Sequence, residues 1–213
     1  MSRCIIIAPL YNGEEREWLT PRAGDLLLCA DGGYASAIRH GFRPDVTIGD
    51  FDSMPDVAVA GEVVRLPVHK DDTDMVVCLE EGRKRGYREF IAAGCLGGRF
   101  DHTLSCLQCA EDCAARGESL WLCDAQNRVT VLHPGAYIIP AIPGRKLSLL
   151  AFTPQVTGVT LSGALWPLQQ ATLTSRYPLG CSNEFTAEAA QLSFREGSLV
   201  LCCSADASAN GTA

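Results

Sequence analysis

The sequence lacks the segments that would insert it into a membrane or export it. No apolar run approaches the roughly 18 residues that a transmembrane helix needs. The first residues hold one basic side chain and a short apolar run, whereas a signal peptide needs a longer apolar stretch and a small-residue cleavage site. We therefore expect a buried first strand at the amino terminus, no membrane partner and a cytoplasmic location.

Positive charge is also scarce. The 213 residues include 18 Lys and Arg against 25 Asp and Glu, which gives a formal net charge of −7. Because this balance leaves no basic footprint for a phosphate backbone, we expect no nucleic-acid partner. The hydrophobic share of 47% and charged share of 20% are typical of globular proteins and argue against disorder and coiled coils. The sequence also holds no GxxxxGK[ST] motif and no GxGxxG after its first apolar run, so P-loop and dinucleotide-binding folds are not supported.

Cysteine, in contrast, is abundant, with 11 residues, an odd number. Several lie inside apolar runs, as Cys29 and Cys78 do, where cysteine acts as a small hydrophobic residue. Without an export signal, a reduced cytoplasmic setting is the economical interpretation. Cys106, Cys109 and Cys113 share one helical face with other apolar residues, which favours core packing over a metal–thiolate site.

The first 133 residues alternate short apolar runs with helix-like segments. This alternation predicts an α/β domain with a mainly parallel sheet, because strands buried on both faces read as continuous apolar runs. The predicted strands are Arg3–Pro9, Asp25–Ala30, Asp45–Ile48, Glu62–Leu66, Glu89–Ala93 and Ser119–Cys123, and the predicted helices are Gly33–Gly41, Thr73–Arg85 and Asp101–Arg116.

Residues 134–213 show no helix signal. Gly and Pro separate short strand-like pieces, which is typical of a small antiparallel sandwich or barrel. The predicted strands near and after the boundary are Val129–Leu132, Tyr137–Ile139, Lys146–Phe152, Gly158–Ser162, Gln191–Arg195 and Ser198–Cys203. We place the domain boundary near Pro134-Gly135, which predicts an α/β domain over residues 1–133 and a small all-β sandwich domain over 134–213.

Four acidic motifs lie just after predicted strands or at the start of the next helix. They are Ala30-Asp31-Gly32-Gly33, Gly49-Asp50-Phe51-Asp52-Ser53, Lys70-Asp71-Asp72-Thr73-Asp74 and Gly97-Gly98-Arg99-Phe100-Asp101-His102. In open α/β sheets, ligands bind outside the carboxyl ends of the strands. One sheet edge could therefore collect the six aspartates Asp31, Asp50, Asp52, Asp71, Asp74 and Asp101.

Each motif also has a purely structural interpretation. Asp31-Gly32-Gly33 suits a tight turn, and Asp72 or Thr73 suits a helix N-cap, as does Asp101. Asp50 and Asp52 resist this interpretation, because residues two apart in an extended segment share a face and their carboxylates repel. A cation between them relieves the repulsion, and hard oxygen ligands suit Mg²⁺.

Basic residues and glycines in the same motifs indicate phosphate. Lys70 adjoins Asp71, and Arg99 stands between Gly98 and Asp101. An acidic cluster repels a nucleoside triphosphate unless a divalent metal accompanies it, so the two features together predict a metal–nucleotide complex. The glycine pairs of the first and last motifs would let backbone N–H groups approach phosphate oxygens.

Taken in order, the motifs resemble those of the thiamine pyrophosphokinase family. The likeness covers nearly the whole chain, because the second motif extends back to Pro44 and two further blocks lie in the second half. Those blocks are Gly163-Ala164-Leu165-Trp166-Pro167-Leu168 and Gly180-Cys181-Ser182-Asn183-Glu184. The resemblance implies an α/β domain followed by a β-sandwich, in a homodimer whose active sites form between the α/β domain of one subunit and the β domain of the other.

The reaction that the resemblance implies is thiamine + ATP → thiamine diphosphate + AMP, with Mg²⁺ as cofactor. Site roles follow from the matched positions. The metal would be held by Asp50, Asp52, Asp71 and Asp74. Catalysis would depend on Asp50, Asp71 and Asp101, with Asp71 or Asp101 accepting or orienting the hydroxyl proton. The nucleotide would be bound by Asp31, Lys70, Arg99 and His102, and thiamine by Trp166, Ser182 and Asn183.

Some of these assignments have alternatives. An indole face suits the flat, cationic thiamine rings, with roughly 0.5–2 kcal/mol from stacking and cation–π attraction, yet most Trp side chains serve as core. Ser182-Asn183 could form an ordinary turn. Two other functions also stay open: a diphosphokinase acting on a hydroxymethylpterin-like substrate, and a Mg²⁺-dependent nucleotide-binding module without turnover.

Overall fold

The chain divides into two units, Met1–Ala125 and Gln126–Ala213, in a computed structural model that describes residues 2–14, 16–49, 61–65 and 72–206. Four predicted site residues, Asp50, Asp52, Lys70 and Asp71, lie outside the described residues. None of the helices in the described ranges has the length and apolar character needed to cross a membrane.

The apolar runs of the first unit form its strands. In chain order its elements are β1 (Cys4–Ile7), β2 (Leu26–Ala30), α1 (Gly33–Arg39), β3 (Val46–Gly49), β4 (Glu62–Arg65), α2 (Asp74–Lys84), β5 (Glu89–Ala93), α3 (Phe100–Ala115) and β6 (Ser119–Cys123). β1, β2 and β3 are buried along their whole length, as strands covered on both faces must be. The strands and helices predicted for this part of the chain are confirmed, with ends within two residues of those predicted.

The strand order of the first unit contains one reversal. Its strands lie in the order β6-β5-β1-β2-β3-β4, and each pairing between them is parallel where the structure describes it. The chain runs outward from β1 to β4 and then continues on the other side of β1 with β5 and β6. Such a switch point leaves a crevice at the carboxyl ends of the two central strands, here β1 and β5.

Cysteine packs in this unit as a small apolar side chain. Cys4, Cys29 and Cys123 are fully buried, and Cys106, Cys109 and Cys113 lie on the buried face of α3, as the sequence predicted. Burial raises the pKa of Cys29 to about 12, so this thiol is neutral at physiological pH. Cys29 therefore contributes to the core as an uncharged group.

A buried ion pair fixes the start of β1 beside the start of β2. Arg3 Nη2 lies 2.6 Å from Asp25 Oδ2, and the two side chains are only 9% and 3% exposed. Asp25 also accepts hydrogen bonds from the backbone N–H groups of Arg3 and Arg22, at 2.8 and 3.0 Å. Burial alone would raise the pKa of Asp25, but these hydrogen bonds and the Arg3 charge hold it below its usual value.

The second unit contains only strands among its described residues. They are β7 (Asn127–Leu132), β8 (Gly135–Pro140), β9 (Lys146–Ala151), β10 (Gln155–Ser162), β11 (Leu168–Thr174), β12 (Gly180–Asn183), β13 (Ala189–Phe194) and β14 (Leu199–Ser204). They form two antiparallel arrangements, β12-β9-β14-β7 and β11-β10-β13-β8. Buried and more exposed residues alternate along β9 and β13, so each presents one apolar face to a core.

Two strands of the second unit were not predicted. β11 reads Leu-Gln-Gln-Ala-Thr-Leu-Thr and lies at the edge of its sheet with only Leu173 buried, so it carries little apolar signal. β12 has four residues, also at an edge, and it includes the Ser182-Asn183 pair for which a turn was the alternative. Edge strands need little burial, which explains why their composition did not reveal them.

The division into units falls eight residues before the boundary placed at Pro134 from the sequence. β7 accounts for this difference, because it pairs antiparallel with β14 along its whole length. The strand pairing of the chain as a whole is thus mixed: parallel in the first unit and antiparallel in the second. The α/β unit is followed by a separate small β unit, as expected.

We expect Asp25→Asn to lower the free energy of unfolding by about 3–5 kcal/mol, because the Arg3 guanidinium would stay buried without its counter-charge. The folded-state pKa of Asp25 lies below the unfolded value of about 3.9, so the ion pair stabilises the fold above that pH. Its contribution is lost as the pH falls through the folded-state pKa. Urea unfolding of both proteins at several pH values measures the difference.

The matched control is Glu62→Gln, which removes an exposed partner of Arg85. Its side chain is 56% exposed, so the change should cost no more than about 1 kcal/mol. An Asp25→Asn protein as stable as the wild type near neutral pH would contradict the role given to the buried pair.

Candidate functional site

A cleft of about 470 Å³ lies at the switch point of the first unit. Its walls are the turn after β1, the end of β2, the loop after β5, the first turn of α2 and one face of α3. The cleft brings together Asp31, Asp74, Arg99 and His102, four residues that the sequence analysis assigned to the site. Of the six aspartates expected at one sheet edge, Asp31 and Asp74 therefore line this cleft, together with Arg99 and His102.

Asp31 follows β2 directly, with its backbone in the left-handed region at φ 41°. Its N–H donates to the Ile48 carbonyl at 2.7 Å, and its own carbonyl accepts the Tyr34 N–H at 3.1 Å. The Oδ1 atom is buried, and a Cβ at Gly49 would lie 3.0 Å from it. Asp adopts this backbone region more readily than most non-glycine residues, so the conformation agrees with the tight turn expected at Asp31-Gly32-Gly33.

The glycine pair after Asp31 lets α1 begin in contact with β1. A Cβ at Gly33 would lie 2.2 Å from the Ile7 carbonyl oxygen, a distance that no side chain can adopt. Glycine is therefore required here by the close approach of two backbones. This approach fixes the start of α1 beside the end of β1, next to the cleft.

The loop between β5 and α3 contains three left-handed glycines, Gly94 at φ 73°, Gly97 at φ 82° and Gly98 at φ 62°. Thr103, in the first turn of α3, holds this loop: its Oγ1 accepts the Gly97 N–H at 3.2 Å and donates to the Gly97 carbonyl at 3.3 Å. The Gly97 N–H is thus already bonded to Thr103. This finding corrects the expectation that it faces a phosphate. The loop places Arg99 at the mouth of the cleft, immediately before α3.

Arg99 and Asp101 form an exposed, two-point ion pair. Arg99 Nη2 lies 2.6 Å from Asp101 Oδ2, and Arg99 Nε lies 3.1 Å from Oδ1. The His102 N–H also donates to Asp101 Oδ1, at 3.0 Å. The hydrogen bonds from Arg99, with a smaller contribution from His102, lower the pKa of Asp101. Asp101 does not line the cleft, but it is paired with Arg99, which does.

The start of α2 supplies the second carboxylate of the cleft. Thr73 caps this helix by accepting the Val76 N–H at 3.5 Å, and Asp74 follows in the first turn. The carboxylates of Asp31 and Asp74 are hard oxygen donors of the kind that Mg²⁺ prefers. Among the described residues no group of three His, Cys, Asp or Glu side chains could hold a metal ion. The other predicted ligands, Asp50, Asp52 and Asp71, lie outside the described ranges.

Several cleft residues were not predicted. Pro9 and Leu10 belong to the turn after β1, and the same strand-end rule that selected Asp31 would have found them. Cys95 and Cys106 also line the cleft, although the sequence analysis gave the cysteines a packing role. Ser105 gave no signal, because one serine on an α3 face has no distinguishing pattern.

In the second unit, Trp166 is displayed rather than buried. Its side chain belongs to a segment between β10 and β11, and the residue is 56% exposed, next to Leu165 at 49%. The sandwich-core alternative for Trp166 is therefore wrong. A partly exposed indole is available for stacking on a flat ring.

Asn183 holds the Trp166 segment in place. Asn183 Oδ1 accepts the Trp166 N–H at 3.0 Å, and Nδ2 donates to the Trp166 carbonyl at 2.8 Å. The same Oδ1 accepts the Glu184 N–H at 2.9 Å. Since Asn183 is only 6% exposed, its amide positions Trp166 and is not directed toward a ligand in solvent.

Ser182, next to it, is exposed and has a left-handed backbone at φ 59°. Its N–H donates to Ser148 Oγ of β9 at 2.9 Å. With this backbone conformation the Ser182 side chain is exposed, while that of the next residue, Asn183, stays buried. Ser182 therefore faces solvent, whereas Asn183 holds the Trp166 segment.

Two family models match the chain in tandem. The model described as thiamin pyrophosphokinase, catalytic domain, matches residues 21–122, and the model described as thiamin pyrophosphokinase, vitamin B1 binding domain, matches residues 136–199. Together they span more than three quarters of the chain. Their order and positions follow the two structural units.

Individual proteins show the same similarity. A thiamine pyrophosphokinase of Bacillus subtilis strain 168 is 27% identical over 188 residues, which are 85% of this chain and 88% of that protein. The crystal structure of a Bacillus subtilis thiamine pyrophosphokinase matches with a TM-score of 0.87 at 25% identity, covering 97% of this chain and all of the other. That of a Geobacillus thermodenitrificans thiamin pyrophosphokinase matches with a TM-score of 0.84 at 27% identity, covering 98% and 99% of the two chains.

We expect Asn183→Ala to lower the free energy of unfolding by about 1–3 kcal/mol, because the Trp166 N–H and carbonyl would lose their buried partner. Asn183→Asp should also destabilise the fold, since it would place a second acceptor opposite the Trp166 carbonyl. Urea unfolding measures both losses. Ser182→Ala is the control and should change stability little, because that side chain is exposed. Unchanged stability in Asn183→Ala would show that the amide does not hold the segment.

Proposed function

The chain belongs to the thiamin pyrophosphokinase family, and from that membership we propose that it transfers the diphosphate of ATP to the hydroxyl group of thiamine. The products are thiamine diphosphate and AMP. The observation that carries this proposal is the cleft at the β1/β5 switch point, where Asp31, Asp74, Arg99 and His102 meet. These four residues come from three of the acidic motifs that carry the family resemblance.

The nucleotide is proposed to bind in this cleft through its phosphates. Arg99 supplies a guanidinium at the mouth, where a phosphate oxygen can replace the Asp101 carboxylate as its partner. Lys70 and His102 are proposed to contact phosphates as well. Asp31, which has one buried carboxylate oxygen and lies at the end of β2, is proposed to accept hydrogen bonds from hydroxyl or amino groups of the nucleotide.

Mg²⁺ is proposed as the cofactor, held by Asp74 together with Asp50, Asp52 and Asp71. When bound, it would neutralise phosphate charge as that charge develops. The fit rests on the donor chemistry, because carboxylate oxygens are the ligands that this ion prefers. Asp74 is already fixed for such a role by the capped first turn of α2.

Of the two carboxylates suggested as proton acceptors, Asp71 is the better choice. Asp101 already accepts hydrogen bonds from Arg99 and His102, which lower its pKa and make it a weaker base. We therefore assign the proton of the thiamine hydroxyl to Asp71 and the orientation of Arg99 to Asp101. The hydroxyl oxygen attacks the β-phosphorus, and the bond to the α-phosphate oxygen breaks to release AMP.

Thiamine is proposed to stack on Trp166. The exposed indole offers a flat, electron-rich face to a cationic ring, worth about 0.5–2 kcal/mol. Asn183 orients the indole through the backbone, and the exposed Ser182 is proposed to contact the substrate.

We also propose a homodimer in which the cleft of one subunit faces Trp166 of the other. We further propose the reduced, cytoplasmic setting expected from the sequence.

The direct test mixes the purified protein with thiamine, ATP and Mg²⁺ and measures thiamine diphosphate and AMP. In a matched reaction, a hydroxymethylpterin replaces thiamine. Formation of thiamine diphosphate supports the proposal. Activity on the pterin alone would assign a different diphosphokinase, and nucleotide binding without AMP would indicate a binding module; either result overturns the proposal.

We expect Asp50→Asn, Asp71→Asn and Asp74→Asn each to lower turnover by about 10²-fold or more, because each removes a carboxylate assigned to the metal or to proton transfer. Thermal unfolding should stay close to that of the wild type. Steady-state AMP release measures the effect.

Asp72→Asn is the matched control for these variants. It removes a carboxylate from the same motif, but Asp72 is exposed and does not line the cleft, so turnover should stay near the wild-type value. Near-normal activity in both Asp50→Asn and Asp71→Asn would refute the assignment of the acidic cluster.

Mixing two impaired variants tests the shared site. Subunits carrying Asp74→Asn and subunits carrying Trp166→Ala, refolded together in equal amounts, should recover about a quarter of the wild-type activity, because half of the dimers would hold one intact site of two. The assay uses thiamine well below its KM, where loss of the indole matters most. Mixing Asp74→Asn with Asp31→Asn is the control and should recover nothing, since both changes affect the same side of the site. No recovery in the first mixture would contradict a site shared between subunits.

A further inference from the structure

Two free thiols lie in the wall of the cleft. Cys95 is the second residue after β5, and Cys106 is in the second turn of α3. Each residue is only 7% exposed, yet both contribute to the lining of the cleft. Both residues therefore border the space that a small solute entering the cleft would occupy.

The two cysteines share one wall of the cleft, and the interaction between their thiols is the largest influence on the pKa of each. The Cys95 thiol also has the Ala92 carbonyl within reach, at 3.6 Å. A thiol has a single hydrogen, so Cys95 can donate either to Ala92 or to Cys106. When Cys106 loses its proton, donation from Cys95 stabilises the Cys106 thiolate.

The pKa directions follow this arrangement. The hydrogen bond from Cys95 lowers the pKa of Cys106, although burial opposes the shift. The same hydrogen bond, with burial, raises the pKa of Cys95. Cys109 and Cys113 lie on the same helix, but burial raises the pKa of Cys109 to about 11 and that of Cys113 to about 12. The described lining of the cleft includes neither of them.

We propose that Cys95 and Cys106 form a redox-active dithiol, which hydrogen peroxide entering the cleft converts to an intramolecular disulfide. The Cys106 thiolate attacks one peroxide oxygen, the O–O bond breaks, and the departing hydroxide takes a proton to form water. The resulting sulfenic acid is attacked by the Cys95 sulfur, which loses its proton as the S–S bond forms and a second water leaves. The two sulfurs give up two electrons in total, and the peroxide accepts them.

The bond would enclose the loop that carries the last acidic motif. Residues 95–106 include Gly97, Gly98, Arg99, Asp101 and His102. Bringing the sulfurs to about 2.05 Å draws the second turn of α3 toward the end of β5 and narrows the cleft between them. This consequence rests on the proposed function: if the cleft holds the nucleotide, the oxidised protein binds ATP more weakly, and reduction restores binding.

Peptide mapping of the oxidised protein tests the site without any assay of activity. The reduced full-length protein is treated with hydrogen peroxide, alkylated and digested. We expect a linked pair of peptides containing Cys95 and Cys106, a mass loss of about 2 Da, and full reversal by dithiothreitol. The exposed Cys181 reports that the oxidant acted.

Cys109→Ser is the matched control, a buried cysteine one turn further along α3, and it should still form the link. Cys95→Ser and Cys106→Ser should each lose it. The proposal is overturned if Cys181 is oxidised while Cys95 and Cys106 stay reduced, or if either cysteine pairs with a different residue. Because mapping on the wild-type protein decides the matter, a variant that fails to fold does not obscure the result. ATP binding before and after oxidation then tests the consequence separately: a disulfide with unchanged ATP affinity would overturn only the nucleotide assignment of the cleft.

Discussion

β1 pairs with β2 on one side and with β5 on the other, and the chain changes direction across the sheet between these neighbours. Parallel pairing brings the carboxyl ends of all three strands to one edge, and the reversal leaves a crevice there. The polar residues of the first unit depend on this arrangement, because Asp31, Arg99 and Asp74 are far apart in sequence and meet only at that edge. The buried Arg3–Asp25 pair secures the opposite ends of β1 and β2, so the core strands are fixed at both ends.

Much of the first unit could be predicted because its strands are buried on both faces and its site residues follow strand ends. Asp31 and Arg99 are found by that rule, and the structure places both on the cleft. The second unit was harder to predict. β11 and β12 are edge strands with little apolar character, and the role of Asn183 depends on a backbone 17 residues away. Contacts between a side chain and a backbone distant in sequence produce no periodic pattern of residue types.

The cysteines show a similar limit. Their apolar surroundings predicted packing, and for Cys29 or Cys113 burial and a neutral thiol agree with that prediction. Cys95 and Cys106 are also buried, at 7% exposure each, yet they line the cleft. Composition cannot distinguish a thiol inside a core from one beneath the floor of a binding site, because the difference depends on which elements meet there.

The hydrogen bonds between Thr103 and Gly97 order the glycine loop in the folded protein, before any ligand binds. Two consecutive glycines have more backbone freedom to lose than any other pair of residues, and Thr103 restrains the first of them from both its N–H and its carbonyl. The conformational entropy of this segment is thus given up during folding, before any ligand arrives. In the proposed complex, a phosphate would then only have to replace Asp101 as the partner of the Arg99 guanidinium. The loop is thus preorganised, and little of the binding free energy would be spent on immobilising it.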